Sequence, residues 1–295
     1  MNTYLLGFAA AFSAALIGAG WQIVTRFGVT TTVDAFDLSL IRYCIPALIL
    51  CPILLRKGLF PKGVKSSIVT AIVLGGGLPF GLLVMLGASS SPVSHIAVLI
   101  PGTVPIFVAL LAYFIYGDRI ESRTLISFLI ITIGVCCVGW EAIASMGIDT
   151  VRGDMILLSA AFLWAVYSVA FRKSGLSPWH AAAIIAFWSA LLAVGLWYFL
   201  HGSGFSETPY GALAIQIIWQ GLLAGVIGMW IYGYAMQKIG PAQAATVGAL
   251  VPALAAVGGW LFLREFPSGI AIIGIAVTVF GVALANVPTN LRKKG

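Results

Sequence analysis

Residues 92–116 read PVSHIAVLIPGTVPIFVALLAYFIY. One side chain in this run, His95, is an imidazole; the rest are apolar or small. A run of about 18 or more residues this apolar implies a membrane-spanning helix. Pro92, Pro101, Gly102 and Pro105 interrupt it. Proline inside a span leaves carbonyls without a helical partner, which is tolerated where neighbouring helices or a cavity satisfy them. The pattern returns at residues 241–263, PAQAATVGALVPALAAVGGWLFL. Ala97, Val104, Pro105 and Ala109 reappear as Ala244, Val251, Pro252 and Ala256, each 147 positions later. Interrupted spans at matching places in two halves of a chain point to a binding site at the bilayer midplane.

The surrounding composition agrees. The chain of 295 residues is 61% hydrophobic and 8% charged, with a mean hydropathy of +1.07. A typical soluble domain carries roughly 25% charged residues, so lipid is the expected solvent. The net charge of +7 sits in short gaps between apolar runs and not on one polar face, which argues against nucleic acid as a partner. Cys44, Cys51, Cys136 and Cys137 all fall in apolar runs, without metal-ligand spacing. The first apolar run lacks a basic leader segment and reads as a retained span.

Ten apolar runs follow, near residues 3–26, 36–55, 66–88, 92–116, 122–140, 154–172, 179–200, 211–236, 241–263 and 267–287. Each has about the 20 residues that a helix needs to cross the hydrocarbon. The halves repeat. Gly7, Ser13, Ala14, Ala15, Ala19 and Arg26 return 146 positions later as Gly153, Ser159, Ala160, Ala161, Ala165 and Arg172. Gly81, Ala88, Ile126, Gly134 and Val135 return 147 positions later as Gly228, Ala235, Ile273, Gly281 and Val282. Five spans per half would send the second half into the bilayer from the opposite side. The expected fold is an all-α membrane protein, ten transmembrane helices in two inverted five-helix repeats, residues 1–146 and 147–295.

Lysine and arginine set the orientation. With the amino terminus in the cytoplasm, the inner segments collect Arg56, Lys57, Lys62, Lys65, Arg119, Arg123, Arg172, Lys173, Lys238, Arg292, Lys293 and Lys294. The outer segments collect Arg26, Arg152 and Arg264. Twelve against three places both termini in the cytoplasm, with anionic headgroups as the partner of the basic face.

Site candidates come from residues that a span does not need. Arg42 lies within the second run; it either meets a substrate carboxylate or pairs with Asp34 or Asp37, or snorkels. His95 opens the fourth run, where it carries a transported proton, caps the helix or sits in outside water. Gln220 and Thr103 either bond a polar substrate or join helices. Trp164, Phe80 and Trp188 fall near midplanes, below the interfacial belt, and are candidate cavity walls. Trp164 corresponds in the repeat to Gly18, so an indole in one half faces the space that a hydrogen leaves in the other. Ser13 and Ser159, a matched pair, join the candidates. Pro46, Pro79, Pro101, Pro105 and Pro252 also fall near midplanes, as hinges or as static kinks. The acids all fall at span ends. No Ser/His/Asp set, carboxylate pair or metal cluster is visible within the spans, so neither an enzyme nor a cofactor is expected.

One spaced motif carries a resemblance. A proline, an apolar helix, a Gly-acid pair and then a glycine-bearing span read Pro105, Gly117-Asp118, Gly134 in the first half. In the second half they read Pro252, Arg264-Glu265, Gly281. With ten spans in two halves, this resembles the drug/metabolite transporter superfamily, specifically its EamA-type members. That resemblance usually shows Gly-Glu; here Asp118 stands for the glutamate and Arg264 for the glycine. It implies a secondary transporter of a bacterial inner membrane, a monomer or weak homodimer, exporting small amphipathic metabolites such as amino acids. Two alternatives stand beside this reading. A sugar-phosphate or nucleotide exchanger calls for several cavity-facing cations where the spans hold one arginine. A membrane sensor or scaffold subunit is the other.

Overall fold

The computed structural model describes residues 3–286 apart from 32, 119, 201–204, 206–207, 240–243 and 245–246. Every described element is helical. In chain order they are α1 (Thr3–Thr31), α2 (Ala35–Lys57), α3 (Ser66–Gly76), α4 (Leu78–Ser90), α5 (Val93–Tyr116) and α6 (Ser122–Glu141). Then come α7 (Ile148–Ser174), α8 (Pro178–Leu200), α9 (Tyr210–Gln216), α10 (Gly228–Ile239), α11 (Val251–Gly258) and α12 (Gly269–Asn286). The helix widens to π geometry over Ala142–Met146, Ile217–Ile227 and Gly259–Leu263.

Among the described residues, eight continuous helical stretches are long and apolar enough to cross a membrane. The ninth and tenth runs give the shorter apolar helices Val251–Leu263 and Gly269–Ala285. The start of the ninth run, Pro241 to Gln243, lies outside the described residues, as do Arg119 and the basic tail Arg292 to Lys294.

Local chemistry fixes the ends. Asp34 caps α2, its carboxylate accepting from the Phe36 and Asp37 amides at 2.7 and 3.0 Å. Gly117 ends α5 at φ 71, a left-handed position that glycine takes without a Cβ penalty. The matching position at the end of the ninth run is Arg264, which adopts φ 57 all the same. It is the one non-glycine residue at positive φ among the described residues.

The third run is broken at Gly77. There the Leu78 amide donates to Ser189 Oγ (2.9 Å), and Tyr43 Oη donates to the Gly77 carbonyl (2.6 Å). Side chains from α8 and α2 thus satisfy groups that a continuous helix would have paired. The prolines of α5 leave that helix unbroken from Val93 to Tyr116.

Packing is dominated by α6 against α12, α2 against α8, α5 against α7, α1 against α10, α3 and α4 against α7, and α1 against α11. Shifting a residue number by about 147 carries α5–α7 onto α11–α1 and α4–α7 onto α10–α1. It carries α2–α8 and α6–α12 onto themselves. Gly134 and Gly274 let α6 and α12 touch backbone to backbone: a Cβ at Gly134 would lie 2.7 Å from the Gly274 carbonyl.

Cross-contacts define two ends. At one, Arg26 reaches Glu265, Ala88 and Ser89. At the other, Arg172 reaches Asp118.

Candidate functional site: a cavity between two ion pairs

A cavity of about 420 Å³ lies between the first-half helices α1, α2, α4 and α5 and the second-half elements α7, α10 and α11. Its walls include Gly18, Trp21, Gln22, Arg42, Phe80, Pro101, Pro105, Trp164, Met229 and Val251. A smaller chamber of about 100 Å³ adjoins it, lined by Tyr43, Pro46, Gly76, Tyr167 and Gly225. Arg42 and Trp164 line both chambers.

The polar groups here are few and aimed. The Arg42 guanidinium stands 4.4 Å above the Trp21 ring, and its Nη1 donates to Gln220 Oε1 at 3.2 Å. Trp21 Nε1 donates to the same oxygen at 2.8 Å, and Gln220 Nε2 donates to Thr25 Oγ1 at 2.9 Å. Gln220 is fully buried and its bonds are spent holding Arg42 and Trp21 in place. What remains is a donor and an acceptor: Arg42 Nε and Gln22 Oε1 are both buried without a hydrogen-bond partner. Buried polar groups nearly always have partners, and both of these belong to residues of the cavity wall. The apolar wall is continuous. Phe80 lies 6.3 Å from Trp21 and 4.8 Å from Trp164, and Trp164 lies 4.9 Å from Tyr167, ring centre to ring centre.

The expected residues divide. Gly18, Arg42, Phe80 and Trp164 meet at the cavity, with Pro101 and Pro105 beside them and Pro46 in the smaller chamber. Gln220 positions the site from behind. Six candidates lie elsewhere. Thr103 bonds back to the Leu99 carbonyl of its own helix. Ser159 is exposed and bonds Met155 O. Half-buried Ser13 and Pro79 lie outside the cavity wall, as does buried Pro252. Trp188 lines a separate groove with Phe60, between α3 and α8. Arg42 turns to Gln220 and Trp21, while Asp34 caps α2 and Asp37 accepts from Trp197 Nε1 at 2.6 Å.

His95 corrects the sequence reading most. It is fully buried, away from outside water, and its Nδ1 lies 2.9 Å from Asp154 Oδ2. Ser91, His95 and Asp154 do meet, but in no nucleophilic order, because Ser91 Oγ donates to Asp154 Oδ1 (2.7 Å) and not to the imidazole. The acids are not all surface groups: Asp37, Glu141 and Asp154 are buried. Sequence reasoning also missed Trp21, Gln22, Tyr43 and Tyr167. Trp21 stands three residues after Gly18 on the same helix face, a spacing that was available to read.

Two ion pairs bracket the cavity. Arg26 Nε meets Glu265 Oε1 at 2.7 Å, and Arg172 Nη2 meets Asp118 Oδ2 at 2.7 Å. Each joins one half to the other, and each places the repeat's arginine on the motif's acid. They differ in burial. The Arg26–Glu265 side chains are 17% and 25% exposed, those of Arg172–Asp118 58% and 45%. The first pair is also knitted in: Arg26 Nη1 donates to Ala88 O (2.7 Å) and Ser89 O (2.9 Å), and Glu265 Oε2 accepts the Val93 amide (2.8 Å). The cavity reaches no further than Gln22 on α1 and Ile100 on α5, so it stops short of this end.

The profile of the EamA-like transporter family matches residues 3–140 and again residues 151–287. The chain belongs to the EamA-like transporter family. Its relatives in that family include the "Uncharacterized transporter YdfC" of Bacillus subtilis, 28% identical over 77% of this chain and 74% of that protein. The "Probable terminal-alkyne amino-acid exporter" of Streptantibioticus cattleyicolor is 28% identical over 64% of this chain and 63% of its own length. A solved structure, "Crystal structure of protein", shares the fold at a TM-score of 0.64 and 20% identity, covering 95% of this chain and 98% of that one. The chain is thus a multi-pass membrane transporter of the drug/metabolite superfamily, a class that moves solutes and is not in general enzymatic.

Proposed function

We propose that this EamA-family transporter is a secondary exporter of small amphipathic metabolites such as amino acids, working by alternating access in a bacterial inner membrane. The observation that carries the reading is the pair of unspent polar groups at one aromatic-walled cavity, Arg42 Nε and Gln22 Oε1. A guanidinium suits a carboxylate. An amide oxygen suits an ammonium. The rings of Trp21, Phe80 and Trp164 suit an apolar side chain. A relative named as an amino-acid exporter points the same way.

Alternating access is supported by the bracketing ion pairs. One half-to-half bond at each end of a cavity is what two rocking halves need. Residues 1–146 and 147–295 are read as inverted five-span halves, and the self-mapping contact pattern supports this. The basic Arg172 end faces the cytoplasm and its anionic headgroups, with both termini on that side, and the protein works as a monomer or weak homodimer.

The test is a thermal-shift screen of detergent-purified protein with amino acids, their decarboxylated amines and their deaminated acids. Binding to the folded state raises its apparent stability, by about 2.7 kcal/mol at a hundred times Kd. The strongest stabilisation is expected from intact amino acids, and Arg42→Lys should weaken carboxylate ligands more than the amines, because lysine lacks the planar fork. Equal stabilisation by the amines and the amino acids refutes the role given to Arg42.

A further inference from the structure

The buried cluster around His95 is used neither by the cavity nor by the ion pairs. His95 sits in the first turn of α5, Asp154 two turns into α7, and Glu141 at the last residue of α6, where the helix widens. His95 is 0% exposed and the two acids 3% each. Nδ1 is held by both Asp154 oxygens, at 2.9 and 3.1 Å, and Ser91 supplies a further bond to Asp154. On the far side of the ring, Nε2 lies 3.7 Å from Glu141 Oε2. Both of those atoms are buried without a hydrogen-bond partner. Too long for a hydrogen bond, that gap is one small side-chain movement from being one.

Two carboxylates and an imidazole stand here, and among the described residues the packed elements supply no other cation. On α1, Arg26 is occupied by Glu265. On α7, Asp149 and Arg152 are exposed and pair with each other. On α6, Cys137 lies one turn from Glu141, while α4, α11, α12 and both neighbouring π segments carry no charged residue. The cluster holds charge −2 with a neutral ring and −1 with an imidazolium. Burial makes the extra charge costly, so a proton is the ion this site is built to take.

We infer that His95, Glu141 and Asp154 form a proton-binding site whose access is controlled by the Arg26–Glu265 pair, coupling transport to proton movement. The link is short. Glu265 Oε2 caps the Val93 amide, two residues before His95, and Ser91, one residue before Pro92, bonds Asp154. Opening that end frees the start of α5 and brings water to the ring. One proton then moves from water to His95 Nε2 and is shared with the Glu141 carboxylate, and nothing else is gained or lost. The coupling rests on the alternating-access reading; the proton site does not.

The experiment reads the proton and needs no substrate. The chain has three histidines, His95, His180 and His201. In protein with isotope-labelled histidine in nanodiscs, His180→Asn with His201→Asn leaves the His95 nitrogen signals alone. They should report one proton gained at the His95 ring as the pH is lowered. Glu141→Gln keeps the side-chain shape and should lower proton affinity at His95 about ten- to a thousandfold, the effect of losing an opposite charge at this range. Asp154→Asn gives the same readout should Glu141→Gln fail to fold. A His95 ring that never titrates, or a midpoint unmoved by the carboxylate substitutions, overturns the site. A second arm treats wild type and Glu265→Gln with diethyl pyrocarbonate and follows His95 modification by mass spectrometry. Severalfold faster modification in Glu265→Gln is expected, and equal rates overturn the control of access. A ligand screen that finds no substrate would move neither readout, so the two readings fail separately.

Discussion

Replacing Glu265 by glutamine should tip the protein toward a state open at the Arg26 end. Glu265 accepts two short bonds there, from Arg26 Nε at 2.7 Å and the Val93 amide at 2.8 Å. Its side chain is three-quarters buried. Hydrogen bonds to a charged group contribute about 1.5–3 kcal/mol each. Glutamine keeps one acceptor oxygen but loses the charge, so a loss near one such bond is expected. At about 1.4 kcal/mol per tenfold, the open-to-closed ratio should rise roughly ten- to a hundredfold. The matching change at the other end, Asp118→Asn, breaks a pair about half exposed to solvent. Such pairs contribute about 0–1 kcal/mol, so a shift of no more than about fivefold is expected there. Spin-label distance measurements across each end, in a cysteine-replaced background, report both populations. Equal shifts for the two substitutions would refute the argument, because burial and the added backbone bonds are what separate the pairs.

Trp164→Phe and Trp164→Ala should change ligand preference at unchanged yield and melting temperature, phenylalanine the less; variants that merely melt early would make Trp164 a packing residue. Arg264→Gly should stabilise the fold by about 1 kcal/mol, since a side chain at left-handed φ costs roughly that much; reversible unfolding in mixed micelles measures it, and Arg264→Ala, which keeps the Cβ, should gain nothing. Neutralising Arg56, Lys57, Lys62 and Lys65 together should mix the orientation of α2 and α3; uniform native labelling of engineered loop cysteines would show that other charges set it.

The spans were legible because lipid imposes one rule on every residue of a run, and hydropathy reads that rule directly. Partnerships were not. Arg26, Arg172, Asp118 and Glu265 were all picked out by repeat or motif. Yet nothing in a linear pattern says that each arginine crosses to the other half's acid. Thr103 and Ser159 were misplaced because a hydroxyl in a helix can satisfy itself on the carbonyl four residues back, a bond that leaves no trace in sequence. Glu141 and Asp154 fall at the ends of runs in the sequence, yet both are buried, which position along a run does not tell. The Arg26 end is covered by the α4–α5 junction and its bonds to Arg26 and Asp154, so depth along the chain and depth beneath a surface part company there.

The break at Gly77 has a mechanical meaning. Its freed amide and carbonyl are held by a hydroxyl from α8 and one from α2, helices from opposite halves that lie against each other. The bend of the third run is therefore a gauge of the spacing between those two neighbours. If they separate, one hydroxyl bond must lengthen or the bend must change. Tyr43, which supplies one of the bonds, follows Arg42 in the chain and lines the smaller chamber. A cargo that draws Arg42 inward would pull on the same joint, and the half-helices α3 and α4 can answer by swivelling about a glycine without baring a backbone amide to lipid.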